Sequence, residues 1–468
     1  MPGLTSIARR QAWRVVLALG LPASAIASPP DAPPAEPNAT AGATADEAAS
    51  SGSADAPAGA ASGDDFSWNY SWQGWDGLHM ELVQKTPLDV SRQHFRLDQI
   101  RLAGSLGVRL DVDAAAFDTD GTLSDFDDGV ALRRARVRLS GDAILGVPFR
   151  YKVEFGYVPN QFTLNNFYIA IPDVRFIGTL KFGQFSPAMG LELLTSSWDI
   201  ALMEPSAALQ ALAPKTSPGV QIGRPYADGR GTWAVGLYGS GGGSVEYGSL
   251  TKNMTNAVAR VTWLAIDDMN PEVASSNHYL HLGLSATRQR SSDGGVSYRS
   301  RPESYIAPYV IQTGSIATDR AYSWGGELLW VRGPFAAQAE VIRSTVQPTG
   351  QSSLLFWGGY AFASWSLTGE SRAYDRDAGT LDGVKPLRNF EFGPQGGWGA
   401  IEAAVRYTYT DLNDGFVHGG RLSLLMAGLD WTFRPQLQWM LNLGFGSVRG
   451  GATEGNMLIV QTRLGLNF

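Results

Sequence analysis

The stretch Leu132-Arg133-Arg134-Ala135-Arg136-Val137-Arg138-Leu139 holds the residue types and spacing most suited to chemistry. In an extended chain successive side chains point to opposite faces. Ala135, Val137 and Leu139 then share one face, and Arg134, Arg136 and Arg138 share the other. Side chains two apart on a strand stand ~7 Å from each other, so the three guanidiniums form a strip of fixed positive charge. Arginine stays charged at any working pH and grips the oxygens of an oxyanion two at a time. The next such stretch sets Arg150, Lys152 and Glu154 against Tyr151, Val153 and Phe155. The same count puts Arg109, Lys181, Arg260, Arg406 and Arg463 on the polar faces of their segments. The same faces carry Asp111, Asp113, Glu154, Glu327, Glu340 and Glu402. Two readings are open: a cationic strip that attracts anions, or a set of ion pairs that holds the protein together.

The elements that must carry these residues are strands. In Ile401–Tyr409 the residues Ile401, Ala403, Val405, Tyr407 and Tyr409 alternate with Glu402, Arg406 and Thr408. The pattern returns in Leu425–Phe433, in Leu437–Phe445 and in the closing segment that ends on Phe468. Period-two segments of this length, apolar on one face with aromatic ends, are what a transmembrane barrel requires. Sixteen segments qualify: 106–117, 131–141, 147–157, 165–171, 175–185, 218–224, 231–240, 253–266, 277–288, 320–332, 335–346, 353–368, 398–411, 418–433, 435–448 and 456–468. The fold expected is all-β, a transmembrane antiparallel β-barrel of about 16 strands, an even number as such barrels have. A charge facing lipid at mid-depth costs about 2–4 kcal/mol, so the arginine faces must be the wet, inward ones. Rings of basic side chains on a pore wall favour anions.

Composition agrees. Charged residues make up 17% of the chain, below the usual value of roughly 25%. No run of about 18 apolar residues offers a membrane helix, and cysteine is absent. Residues 1–27 read as a signal peptide: Arg9, Arg10 and Arg14, an apolar run, then Ala25-Ile26-Ala27. Residues 28–65 are a low-complexity Ala/Pro/Gly/Ser/Asp linker that cannot offset its ordering entropy. Residues 66–105 form a lead-in with a short strand near 78–84, and 106–468 the barrel. Net charge is −7 for the whole chain, yet the linker alone carries seven acidic residues and no basic one, so the barrel is close to neutral.

Long connections fall at 118–130, 186–217, 289–319 and 369–397, and the barrel habit places long loops outside and short turns on the periplasmic side. The third loop, 186–217, lies outside or folds into the lumen. Between Ser186 and Pro214 it has Glu192, Asp199 and Glu204 and no Lys or Arg; the first basic residue is Lys215, which stands where the loop returns. Trp198, Leu209 and Leu212 are suited to anchor it to the wall. The histidines His79, His94, His278, His281 and His418 form no nucleophile–base or metal-ligand spacing, so no catalytic or metal role is assigned. No basic-aromatic patch outside the barrel suggests nucleic acid.

Several blocks resemble the phosphate-selective porin O and P family. They are Arg133-Arg134-Ala135-Arg136; Gly183-Gln184-Phe185 with Gly190-Leu191-Glu192 and Leu194-Thr195-Ser196-Ser197; Leu367-Thr368-Gly369-Glu370 with Tyr374-Asp375-Arg376; and Trp398-Gly399-Ala400-Ile401-Glu402. Gly428-Leu429-Asp430-Trp431 and the closing residues to Phe468 complete the series. The resemblance implies a trimeric sixteen-stranded barrel with the third loop folded into the pore, and an arginine-lined path for phosphate or polyphosphate to a lysine-containing constriction. The third loop departs from that pattern in lacking basic residues.

Together these features describe an outer-membrane porin, not an enzyme, through which small anionic solutes diffuse passively. Its expected pore-lining residues are Arg109, Arg134, Arg136, Arg138, Arg150, Lys152, Lys181, Lys215, Arg260, Arg406 and Arg463. Expected partners are outer-membrane lipid, small anions and two further copies in a homotrimer; no cofactor is called for. A general solute pore of weak selectivity and a loop-closed binding or adhesive barrel are the alternatives.

Overall fold

The computed structural model describes residues 66–468 apart from 73–77, 85–87, 91–94, 98–99, 124–125, 159–160, 240–253, 270–274, 291–294 and 394–395. The expected signal peptide and linker, and His94, lie outside the described residues.

Sixteen antiparallel strands close into one barrel: β1 (Ile100–Thr119), β2 (Gly129–Leu145), β3 (Pro148–Val158), β4 (Gln161–Val174), β5 (Gly178–Phe185), β6 (Ser217–Tyr226), β7 (Gly231–Gly239), β8 (Met254–Asp268), β9 (His278–Arg290), β10 (Ile316–Arg332), β11 (Phe335–Pro348), β12 (Leu354–Ser366), β13 (Ala400–Asp414), β14 (Val417–Arg434), β15 (Leu437–Arg449) and β16 (Gly455–Asn467). Each pairs with its chain neighbours, and β16 closes on β1 from Met457↔Thr119 to Asn467↔Arg109. Each segment read from the alternating pattern corresponds to one strand. The first begins at Ile100, ahead of the expected boundary at 106, because β1 runs on below the end of β16. There its free edge takes a further strand, Leu78–Gln84, which pairs in turn with Phe66–Trp72. The main chain of Phe468 exchanges hydrogen bonds with Val108, so the C-terminus is tied into the wall.

Alternation along the strands separates two environments. In β13, Glu402, Ala404, Arg406, Thr408 and Thr410 are buried inside, while Val405 and Tyr407 are exposed on the outer face. The outer face also shows Val137, Phe155, Leu284, Leu328, Leu443 and Leu464, a band whose place is lipid. Aromatic pairs edge it: Phe335 stacks on Trp365 at 5.7 Å near the short-turn end, and Trp357 meets Tyr409 at 5.0 Å near the other.

The connections correct one expectation. Connections after even-numbered strands share the end where the chain terminates, and most are tight turns such as 146–147, 333–334 and 435–436. The connection 367–399 follows β12 and so belongs to this periplasmic end, although its length suggested the outside. Instead of projecting away it turns up into the barrel. Arg372 bonds Glu402 at 2.6 Å, Arg376 bonds Asp267 at 2.6 Å, and the carbonyls of Ala378 and Gly379 accept from Arg260.

Candidate functional site

The third loop (186–216) carries two short helices, α1 (Leu191–Leu194) and α2 (Ala207–Leu212). It crosses the barrel interior, because its backbone and carboxylates bond inward-facing side chains of opposite walls. The amides of Leu191 and Glu192 donate to Glu340 on β11 at 2.7 and 2.8 Å. Glu192 bonds Arg406 on β13 at 2.5 Å. Glu204 bonds Arg133 on β2 at 2.7 Å and Arg463 on β16 at 2.6 Å, with Arg134 at 3.8 Å. Leu209 and Leu212 are buried in the interior cluster with Phe356 and Met426, as anchors of the loop. The connection between β9 and β10 also reaches in: Glu303 accepts from the Ala207 amide at 2.9 Å and pairs with Arg406.

These contacts divide the cationic residues into two sets. Arg134, Arg260, Arg406 and Arg463 point inward as expected but lie covered, their side chains at most 4% exposed. Arg134 is held by Asp111 at 2.9 Å, Arg260 by Glu327 at 2.6 Å, and Arg463 by Asp113 at 2.7 Å. Each of the four is thus engaged in a buried ion pair. Lys215, at the return of the third loop, is exposed and donates to the Gln210 carbonyl; its neighbour Thr216 lines the cavity described next.

The second set lines a cavity of about 560 Å³ between the third loop and the wall formed by β1–β5. Arg109, Arg136, Arg138, Lys152 and Lys181 face it, against the carboxylates Glu154 and Glu192. Strand register explains the convergence. Arg109 lies opposite Arg136, Arg138 opposite Glu154, and Lys152 opposite Tyr168. Arg109 is braced by Asp111 at 2.8 Å, by Ser197 at 3.0 Å and by the Trp198 ring at 5.1 Å. Trp198 thus holds the loop next to a cation, in addition to packing at Gly465 on the wall. Arg136 and Lys152 share Glu154, at 3.0 and 3.9 Å. Arg138 and Lys181 pair with no carboxylate among the described residues; Lys181 sits over Tyr168 and Phe185 at 4.0 and 4.3 Å. Arg150 is mostly exposed at the periplasmic end of β3, 3.6 Å from Asp142.

Charge on the third loop is arranged so that its acidity does not fill the passage. Burial alone would raise the pKa of Glu204, but Arg133, Arg134 and Arg463 overcome it and hold the carboxyl well below its usual range. Glu192 goes the other way, raised by burial despite Arg406. Asp199 is raised by burial and by the neighbouring Asp382.

Sequence reasoning missed Arg133. Strict alternation turns it toward lipid, but a bulge opposite Asp111–Val112 lets Arg134 and Leu132 face consecutive partners and leaves Arg133 extra. It turns inward to Glu204 and stacks on Tyr305 at 4.3 Å. Arg372 and Glu303 were missed as well, since they sit on connections without periodicity. His281 is fixed between Tyr374 at 2.8 Å and Glu327 at 3.3 Å.

A family model, phosphate-selective porin O and P, matches residues 105–468. Porin O of Pseudomonas aeruginosa is 27% identical over 343 residues, which is 66% of this chain and 73% of that protein. An uncharacterized protein of Caulobacter vibrioides is 27% identical over 376 residues, 77% of this chain and 73% of its own length. Among solved structures, an anion-selective porin from Comamonas acidovorans superimposes with a TM-score of 0.50 at 11% identity, over 78% of this chain and 99% of that one.

Proposed function

The chain belongs to the phosphate-selective porin O and P family, and we propose that it is a porin for small anions, phosphate among them. It is an outer-membrane β-barrel of the channel type. The observation that carries the anionic reading is the cavity beside β1–β5, where five basic side chains face two carboxylates, and Arg138 and Lys181 pair with no carboxylate among the described residues. A solute entering there leaves bulk water, and cations at its surface compensate most readily if it is an anion. The acidic third loop does not oppose this reading, because Glu192 and Glu204 are directed to wall arginines. The homotrimer implied by the family is part of the same proposal; native mass spectrometry in mild detergent should show three copies.

The test is a single-channel reversal potential in a KCl gradient, with phosphate added as competitor. Anion selectivity with reduced chloride current at low phosphate supports the proposal. Anion selectivity without phosphate competition leaves a general anion pore, and cation selectivity refutes both.

A further inference from the structure

The outer face of β9–β11 carries a row of arginines. Arg288 and Arg290 on β9, Arg320 on β10 and Arg343 on β11 all alternate outward and are exposed. Register gathers them: Arg290 is opposite Arg320, Arg288 opposite Tyr322, and Arg343 lies between Trp324 and Trp357. None has a carboxylate partner among the described residues. Among the described residues the acidic groups nearby are Asp319, next to Arg320 in sequence, and Asp411, which Arg421 holds at 2.9 Å.

Depth fixes what these arginines meet. Arg343 is eight residues above Phe335 of the periplasmic aromatic pair, which for a strand tilted by about 40° is a rise of roughly 20 Å, against an apolar band about 25 Å tall. The row therefore stands at the outer boundary of the membrane, on the side of the long loops. Directly beneath it, on the same strands, is an apolar groove of about 820 Å³. Its floor is made of small residues, Gly326, Ala339, Gly359 and Ala361, and Leu284 and Trp357 stand at its sides.

We propose that this face binds a phosphorylated amphiphile of the outer leaflet, with its phosphates on Arg288, Arg290, Arg320 and Arg343 and its acyl chains in the groove. Charge complementarity selects the occupant. Guanidiniums bind phosphate oxygens in pairs, whereas a neutral lipid would leave four cations uncompensated, and a free phosphate would leave the groove unused. The site is separate from the solute path, which follows β1–β5 on another part of the wall.

The experiment is native mass spectrometry of the full-length protein, released in detergent and titrated with bis-phosphorylated lipid A or with a neutral glycolipid of matching chain length. One lipid A per chain is expected, bound at least tenfold more tightly than the neutral lipid. Arg288→Gln/Arg320→Gln/Arg343→Gln should lower lipid A affinity tenfold or more and leave neutral lipid binding unchanged. Gly326→Leu should weaken both, since a Cβ there is accommodated at 3.6 Å from Val341 while the longer side chain fills the groove. Both variants should keep heat-resistant folding and wild-type conductance. Equal affinity for the two lipids, or lipid A binding unaffected by the triple substitution, overturns the proposal. So does finding a second copy on this face, read as a disulfide-linked dimer of Trp357→Cys, a clean probe because the chain has no cysteine of its own.

Discussion

Glu204→Gln tests how the third loop is held. The carboxylate is 5% exposed and lies 2.7 Å from Arg133, 2.6 Å from Arg463 and 3.8 Å from Arg134. Removing one partner of a buried ion pair costs about 3–5 kcal/mol, because the remaining charge is left uncompensated. Here the remaining charges are three guanidiniums, of which Arg463 keeps Asp113 and Arg134 keeps Asp111, while Arg133 keeps only the Tyr305 ring. The lower end of the range is therefore appropriate, about 3 kcal/mol. The barrel ladder does not depend on this contact, so the loss falls on docking of the loop and raises its undocked population about a hundredfold at ~1.4 kcal/mol per tenfold. In single-channel records the variant should show frequent current fluctuations on an open level that is steady in the wild type, with heat-resistant folding retained. A double-mutant cycle with Arg463→Gln should return a coupling on the order of 1–3 kcal/mol for loop docking. Steady wild-type records from Glu204→Gln would refute the clamp.

Three other outcomes follow from the same structure. Arg138→Gln and Lys181→Gln should each lower the anion-to-cation permeability ratio severalfold, whereas Lys215→Gln, off the cavity wall, should leave it within error; reversal potentials measure both. Arg372→Gln, which leaves Glu402 buried without its cation, should release the connection 367–399 from the interior and raise conductance, seen as larger unitary current. The Glu204 clamp should also resist acid. A carboxyl depressed in the folded state contributes stability that is present above its unfolded pKa of about 4.3 and is lost only as pH falls through the lower folded value. The difference in current noise between the wild type and Glu204→Gln should therefore persist from pH 7 to about 4.5 and close only in stronger acid.

Much of this architecture is legible in the sequence because a strand has one periodicity and a membrane barrel has two solvents. Val405 and Tyr407 against Glu402 and Arg406 already declare which face is lipid and which is lumen. The inward direction of Arg134, Arg260, Arg406 and Arg463 was readable for the same reason. What happens to a charge once inside was not. Arg133 finds Glu204 71 residues away in the chain, and Arg463 finds Asp113 350 residues away. The first pair is set by the path of a loop, and loops have no period; the second joins register partners across the β16–β1 seam, which exists only once the barrel closes. The inward turn of Arg133 depends on one extra residue in a ladder, which hydrophobic alternation cannot register. The side of the membrane taken by 367–399 was available from chain order alone, since it follows an even-numbered strand; loop length was the misleading signal. That Glu192 and Glu204 of the acidic third loop meet wall arginines is likewise visible only in the fold.

The central claim is that solutes pass along β1–β5 among unpaired and half-paired cations. The measurement that bears on it most directly compares the reversal potential of the wild type with that of Arg136→Gln/Arg138→Gln/Lys152→Gln/Lys181→Gln in one KCl gradient. The wild type should be anion-selective and the variant close to non-selective, with folding unchanged. An equally anion-selective variant would place the passage elsewhere in the barrel and contradict it.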